Sequence, residues 1–421
     1  MAQMRTEYLI IGAGISGLTA ATKLIDRDFL LLEKDSEIGG YCRTTRRGDY
    51  VWDYAGHFFH FKTEEFKKTF HDAILESELV RREKNTKILY KGALIDYPFQ
   101  TNIHQLPKDE FIDCLYDLFN REQKESYTDF ADMLYGKFGK SIVEKFLRPY
   151  NEKLYACDLH KLDQNAMGRF FPYADIPQII ANMKREKDTS YNSTFLYPKA
   201  GAQAFLDILY RSLPKDRVKL GTQLVRVDRE NRLAYTAAGD TIAYRYLINT
   251  SPLNHFLTAL GSENALALRD SLSYNKVLVF NLGFAKKSAF DEHWIYVPDP
   301  AVNYYRIGFY DNILGADKLS MYIEIGYPKD AAIDTETQLR LTLENLERAG
   351  ITRDNPLVDY QTIIMDPAYV HITHDSERAV AALKESLAAQ GIYTIGRYGA
   401  WTYCSMEDCM IAARDLVKTI R

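Results

Sequence analysis

Gly12, Gly14 and Gly17 stand in G-x-G-x-x-G order between an apolar run at residues 8–11 and a helix-forming stretch. That spacing meets three demands of holding a pyrophosphate. Gly12 permits the sharp turn from strand to helix, Gly14 lets phosphate oxygens approach the backbone, and Gly17 lets helix and strand pack closely, with Ser16 inside the turn. The anion would sit on the helix N-terminus, where unpaired N–H groups and the dipole favour negative charge. Glu33, 21 residues beyond Gly12, closes a second apolar run and would accept hydrogen bonds from ribose hydroxyls. A glycine pair, Gly39 and Gly40, follows directly, with Arg43 behind it. Together these residues describe a dinucleotide cradle.

The elements that must position them follow from periodicity. The runs at 8–11 and 29–32 are short, apolar and bounded by polar residues, which predicts buried parallel strands around a helix reaching residue 24. A strand at 50–54 leads to Gly56 and His57, and a helix is predicted over 64–78. A hairpin turns at Lys91-Gly92 and ends before Pro98, which cannot continue a ladder. From 107 to 155 the spacing becomes helical, with Phe111, Leu115 and Leu118 on one face and Phe130, Met133, Leu134 and Phe138 on another. A helix at 202–213, strands near 218–228, 232–235 and 241–243, and a buried strand at 246–249 come next. Residues 275–330 are strand-rich. A helix at 335–349, a strand at 360–365 and a closing strand–Gly396-Arg397–helix (406–420) complete the chain. The predicted fold class is α/β: a Rossmann-like dinucleotide-binding domain from residues 1–64, 198–260 and 390–421, an inserted helical unit at 65–197 that includes the 85–100 hairpin, and an antiparallel, substrate-facing sheet at 261–389.

At 421 residues the chain exceeds one ordinary core. Its 46% apolar and 26% charged residues are those of a soluble globular protein. A net charge of −4, without a block of like charge, gives no electrostatic footprint for nucleic acid. No apolar run approaches the roughly 18 residues of a membrane span, and the first strand begins too early to leave room for a signal peptide. The five cysteines (Cys42, Cys114, Cys157, Cys404 and Cys409) include no CxxC pair, which predicts reduced thiols, a cytoplasmic location and no metal site. The 30 tyrosines suit a site that grips a flat base or a sugar face.

The run from Glu33 through Gly39-Gly40 to Arg43 resembles the extended flavin fingerprint of the amine-oxidase and UDP-galactopyranose mutase group. That resemblance implies FAD, with Gly39, Gly40 and Arg43 along the pyrophosphate and flavin, Val225 beside the adenine and Arg397 near the isoalloxazine. Further stretches, from Glu7 to about Asp408, are similar to the UDP-galactopyranose mutases, especially the eukaryotic type. Asp53-Tyr54-Ala55-Gly56-His57 resembles the family's G-G-H loop beside the flavin. Asp96-Tyr97-Pro98-Phe99-Gln100-Thr101-Asn102 resembles the P-Y-P-x-Q-N-N that holds the uracil end of the substrate. Residues 148–156 resemble R-P-Y-N-x-K-x-W-A, with Tyr155 in place of tryptophan, and 192–198, beginning at Asn192, resemble N-A-T-F-x-F-P. Trp294, Tyr296, Pro298, Tyr305 and Arg306 match W-x-Y-F-P…F-Y-R, and 396–403 resemble G-R-F-G-x-W-x-Y.

The resemblance implies an isomerase: a mutase that interconverts UDP-galactopyranose, or a related UDP-hexopyranose, with its furanose form in polysaccharide biosynthesis. It works through an adduct at N5 of reduced flavin, with NAD(P)H a candidate reductant. A UDP-sugar carries two negative charges at its diphosphate, which planar guanidinium forks and phenols meet best. Arg306, Tyr296, Tyr369 and Tyr403 are the candidates, with Arg306 and His57 in the catalytic set and His57 tuning or gating the flavin. Gln100 and Asn151 offer paired donors and acceptors to the uracil edge, and Phe99 or Tyr155 a ring to stack on it. Tyr97 and Asn192 belong to the same motifs. Two departures stand out. The family's second diphosphate arginine lies in a G-E-R segment, whereas this chain has Arg169 one position off, in Gly168-Arg169-Phe170. The family's G-N-Q-D-H is replaced by residues 404–408, Cys-Ser-Met-Glu-Asp. The alternative is an FAD-dependent oxidase or desaturase of the amine-oxidase or protoporphyrinogen-oxidase type.

Overall fold

The computed structural model describes residues 3–59, 61–184 and 194–421. The strand Gln3–Ile11 lies at the middle of the first seven-stranded sheet. It pairs in parallel with Phe29–Leu32 on one side and Thr241–Asn249 on the other, and Ile392–Thr394 runs parallel to the end of the latter. Leu9 and Ile10 are fully buried, as expected of strands covered on both faces. The register sets Ile11 opposite both Leu32 and Asn249, and Asn249 opposite Thr394. The segments beginning at Gly12, Glu33, Thr250 and Ile395 therefore leave the sheet at one edge, where ligands of such sheets bind. Helices Ile15–Lys23 and Met406–Ile420 pack together through Ile15, Leu18, Met410 and Ala413.

The second sheet is ordered Leu357–Val370, Tyr274–Phe284, Ser320–Pro328, Arg306–Phe309, Trp294–Tyr296, Thr86–Tyr90 and Ala93–Asp96. It is antiparallel except where Trp294–Tyr296 meets Thr86–Tyr90. The 85–100 hairpin, expected within the helical unit, is thus hydrogen-bonded into this sheet. A small ribbon, Thr44–Arg47 with Tyr50–Asp53, clasps the two layers. Tyr50 Oη donates to the Phe284 carbonyl at 2.9 Å and Trp52 Nε1 to Ser320 Oγ at 2.9 Å. Asp53 is buried and accepts from Thr44 Oγ1 and Tyr197 Oη, each at 2.6 Å, and from the Ala202 N–H at 3.1 Å. Burial pushes its carboxyl up to about 6 against those donors.

Helices Lys108–Phe119, Phe130–Phe138 and Arg148–Tyr155 form the helical layer, the last entered through a single π turn at Val143–Leu147. The helix expected over 64–78 stops at His71, because the chain then becomes an edge strand, Leu79–Glu83, paired with Thr194–Pro198. Helices Leu253–Leu260, Glu263–Ser271 and His374–Ala388 are additional to the predicted elements. Among the described residues no helix is long and apolar enough to cross a membrane, and no cluster of three or more His, Cys, Asp or Glu could hold a metal ion.

Candidate active site

The glycine loop has the geometry its sequence requires. Gly12 has φ +99°, and Gly17 lies so close that an added Cβ would sit 1.8 Å from the Gly12 carbonyl oxygen. At Gly14, which caps the helix, an added Cβ would meet nothing within 4 Å. Space for a ligand therefore opens over Gly14, at the positive end of the helix. Glu33 is buried; its Oε2 accepts from the Ala13 N–H at 2.7 Å and its Oε1 from the Asp35 N–H at 3.0 Å. Gly39 donates its N–H to the Ala13 carbonyl, and Gly40 lies 3.7 Å from the Gly14 Cα as measured from an ideal Cβ. Gly396, at φ +82°, lies against the Ser16 side chain. The Thr222 N–H donates to the Glu33 carbonyl at 2.7 Å, so the strand carrying exposed Val225 does return to the acid that would meet the ribose. Arg43 is the exception to the expected cradle. Its guanidinium is turned onto the Glu37 and Ile38 carbonyls and pairs with Asp35 at 2.8 Å, which closes the loop over its own backbone.

Beyond this cradle the tyrosines converge. Tyr97 and Tyr150 pack on Tyr296 with ring centroids 4.8 and 5.2 Å apart, and Tyr369 stacks on Tyr403 at 6.0 Å. Arg397 lies over Tyr403 at 4.5 Å and over Tyr369 at 5.2 Å. Arg306 reaches the same ring of phenols from the second sheet, where its Nε donates to Glu324 Oε2 at 2.9 Å and its Nη2 to Oε1. Glu324, 1% exposed, is the buried partner of Arg306 that the sequence reading missed. Its signal was an acid in the middle of an apolar strand, at the register position opposite Arg306. Tyr150 and Tyr305 fell within the family-like motifs but were given no site role, since a tyrosine in an aromatic-rich chain carries no signal of its own.

His57 is half-buried, with Nδ1 3.1 Å from the Ala55 carbonyl. A carbonyl only accepts, so Nδ1 carries the proton and Nε2 is left as an acceptor. Burial first, then the charges of Arg397 and Arg306, lower its pKa to about 4. The unfolded chain takes up this proton near 6.5, so between 6.5 and 4 it binds more protons than the folded one, and stability falls as pH falls. A His57→Gln variant is therefore expected to lose less melting temperature than the parent between pH 6.5 and 4, read by thermal denaturation. His293 and His371, also lowered to about 4 by burial, keep the slope from vanishing.

The uracil-side candidates divide. Asn151 and Tyr155 share a helix face one turn apart. Asn151 Nδ2 donates to the Leu147 carbonyl at 2.6 Å, while Asn151 Oδ1 and Tyr155 Oη are buried without a partner. Gln100 Nε2 bonds the Pro172 carbonyl and leaves Oε1 buried and unpaired. Orphaned polar atoms of this kind are uncommon and suit a polar ligand. Phe99, in contrast, is fully buried and stacks on Phe146 at 5.1 Å, so its ring is core packing rather than a platform for a base. Asn192 lies outside the described residues. Arg169 does not point a free charge at the site: both of its hydrogen bonds, at 2.6 and 2.5 Å, go to the Asp408 carboxylate, and its guanidinium lies 4.9 Å from the Phe170 ring centroid. The two departures from the family pattern thus meet and satisfy one another. Glu407 accepts from the Lys62 and Thr63 N–H groups and ties the segment after His57 to the last helix.

The sequence pattern of the flavin-containing amine oxidoreductases matches residues 15–420. In three dimensions the chain is similar to a reduced UDP-galactopyranose mutase, with a TM-score of 0.92 at 22% identity over 99% of this chain and 93% of that one. It is also similar to cyclohexylamine oxidase from Brevibacterium oxydans IH-35A (TM-score 0.72, 15% identity, 99% and 98% covered) and to a fatty acid isomerase from P. acnes (TM-score 0.67, 14% identity, 98% of each chain). With that pattern matched over nearly its whole length, the chain belongs to the flavin-containing amine oxidoreductase family.

Proposed function

We propose that this protein is a flavin-dependent UDP-sugar mutase that interconverts UDP-galactopyranose, or a related UDP-hexopyranose, with the furanose form. One observation carries the reading: two guanidinium groups, Arg306 and Arg397, set into a ring of phenols beside the cofactor cradle. Among the described residues Arg397 makes no ion pair with a carboxylate, which leaves a net positive site. Such a site attracts a diphosphate and repels the ammonium group that an amine oxidase must bind.

FAD fits the cradle, and in its reduced state it supplies the nucleophile that the side chains lack. Arg306 spends two of its roughly five N–H donors on Glu324 and offers the rest to the departing UDP, with Tyr296, Tyr369 and Tyr403 adding hydroxyls. Gln100, Asn151 and Tyr155 give their unpaired polar atoms to the base. Neutral His57 presents Nε2 as an acceptor and adds no third cation. The proposal takes residues 1–64, 198–260 and 390–421 as the cofactor domain, 65–197 and 261–389 as the units that bring the substrate groups to it, NAD(P)H as a source of reducing equivalents and the cytoplasm as the location.

The test is a titration of the yellow protein with UDP, followed by flavin absorbance, and an assay of dithionite-reduced protein with UDP-galactopyranose by chromatography. UDP binding with a furanose product only under reduction is the expected result. Binding without that product would move the reading to another UDP-sugar. No UDP binding would sink it in favour of an oxidase.

A further inference from the structure

The replacement of the family-like segment at 404–408 leaves two thiols in contact. Cys404 Sγ and Cys409 Sγ lie 3.6 Å apart at the start of the 15-residue helix Met406–Ile420. Their closeness is locally encoded. Ser405 and Asp408 form a capping box, with Ser405 Oγ accepting from the Asp408 N–H at 3.1 Å and Asp408 Oδ2 from the Ser405 N–H at 2.8 Å. Cys404 and Cys409 then occupy the positions just before the cap and one turn inside it, which face each other in a hydrophobic staple. A staple needs only apolar contact, and two leucines would serve. The surroundings of Cys409 are not apolar. The Ser16 side chain and the Arg397 backbone lie close enough to favour its thiolate, the Arg397 guanidinium is near, and the helix N-terminus adds its dipole. The hydrogen bond from Cys404 first, and then these groups, hold Cys409 below the ordinary thiol range against its burial, while Cys404 keeps the proton the two thiols share. Cys409 is buried and Cys404 half-buried, so an oxidant reaches the pair through Cys404.

We infer that Cys404 and Cys409 are a redox-active pair that forms a reversible disulfide at the lip of the cofactor cradle. A low-molecular-weight disulfide such as oxidised glutathione is the oxidant. The shared proton passes to Cys409, and the Cys404 thiolate attacks the small disulfide to give a mixed disulfide and a small thiolate, which takes that proton and leaves as a thiol. The Cys409 thiolate then attacks Cys404 Sγ and expels the second small thiol as its thiolate. Two protein thiols are oxidised to one disulfide, and one small disulfide is reduced to two thiols. The sulfurs must close from contact to about 2.05 Å. The loop that closes contains Asp408, which holds Arg169, and directly follows Tyr403, which stacks on Tyr369, so its redox state acts on the wall of the substrate site.

The test equilibrates the flavin-loaded protein in glutathione buffers of graded ratio, quenches it with an alkylating agent under denaturing conditions, and maps tryptic peptides by mass. Both cysteines lie in the single peptide 398–414, whereas Cys42 lies in 35–43. The expected oxidised product is peptide 398–414 lighter by two hydrogens and lacking both alkyl groups, restored by dithiothreitol. Cys404→Ser is expected to abolish it. Full alkylation of both cysteines at every ratio would overturn the inference. So would a product joining 398–414 to 35–43, because Cys42, whose Sγ lies 3.5 Å from Met406 Sδ, would then be the partner.

Discussion

Gly17→Ala is expected to strip the protein of its flavin and to destabilise the chain at the same time. The added Cβ would lie 1.8 Å from the Gly12 carbonyl oxygen and 3.1 Å from Thr250 Oγ1, with the carbonyl fixed in the turn that leaves the central strand. The carbonyl is backbone, and Thr250 Oγ1 is held on the Ile11 carbonyl at 2.8 Å, so the helix Ile15–Lys23 must move off the sheet. Overpacking of this kind costs about 1–3 kcal/mol and sometimes more. The movement also drags away the helix N-terminus that receives the phosphates. Gly14→Ala provides the contrast. There the Cβ meets nothing of the protein, and the backbone (φ −79°) suits any residue. That variant is expected to keep the melting temperature of the flavin-free protein while losing affinity for FAD. Melting temperatures of the stripped proteins and the 450 nm absorbance after reconstitution, about where oxidised flavin absorbs, separate the two effects. Equal stability of the two variants would refute the steric account.

Arg306→Ala is expected to lower kcat/KM for the UDP-sugar by about 10²–10³-fold, the loss that follows when one partner of a buried charge contact is removed. Stability suffers as well, because Glu324, 1% exposed, is left as a buried carboxylate without its partner. Breaking such a pair costs about 3–5 kcal/mol. The double variant Arg306→Met/Glu324→Met removes both charges and is expected to recover most of the melting temperature while turnover stays lost. If activity returned with stability, Arg306 would be structural only, and the diphosphate would need another anchor. Glu324→Gln tests the positioning role separately. It keeps the shape and weakens the fork, so KM is expected to rise more than kcat falls.

The cradle was legible because each of its demands is local. Gly12, Gly17 and Glu33 are read from spacing alone, since a tight turn, a helix–strand contact and the end of the next strand fall at fixed distances along a βαβ unit. The capped helix 406–420 was legible for the same reason. Helices 263–271 and 374–388 were not, because they bury only Ala265 and only Val380 and Leu387, whereas helix 253–260 carried a legible stripe of Leu253, Phe256, Leu257 and Leu260 that was not read. The hairpin at 85–100 shows the same limit. Its turn was plain in the sequence, but nothing local states that it pairs with Trp294–Tyr296, some 200 residues away.

The site residues divide along the same line. Sequence by itself determined that the chain folds a dinucleotide loop, that it carries arginines and tyrosines enough for a diphosphate, and that residues 404–408 depart from the related pattern. Only the tertiary structure decided what each charged group faces. It turned Arg43 onto Asp35, set Arg169 against Asp408, stacked Phe99 into the core and gave Arg306 its buried partner Glu324. Backbone conformation follows from neighbours in the chain, whereas a guanidinium or a thiol takes its function from whatever packing brings within a few ångströms, and those neighbours come from every part of the sequence.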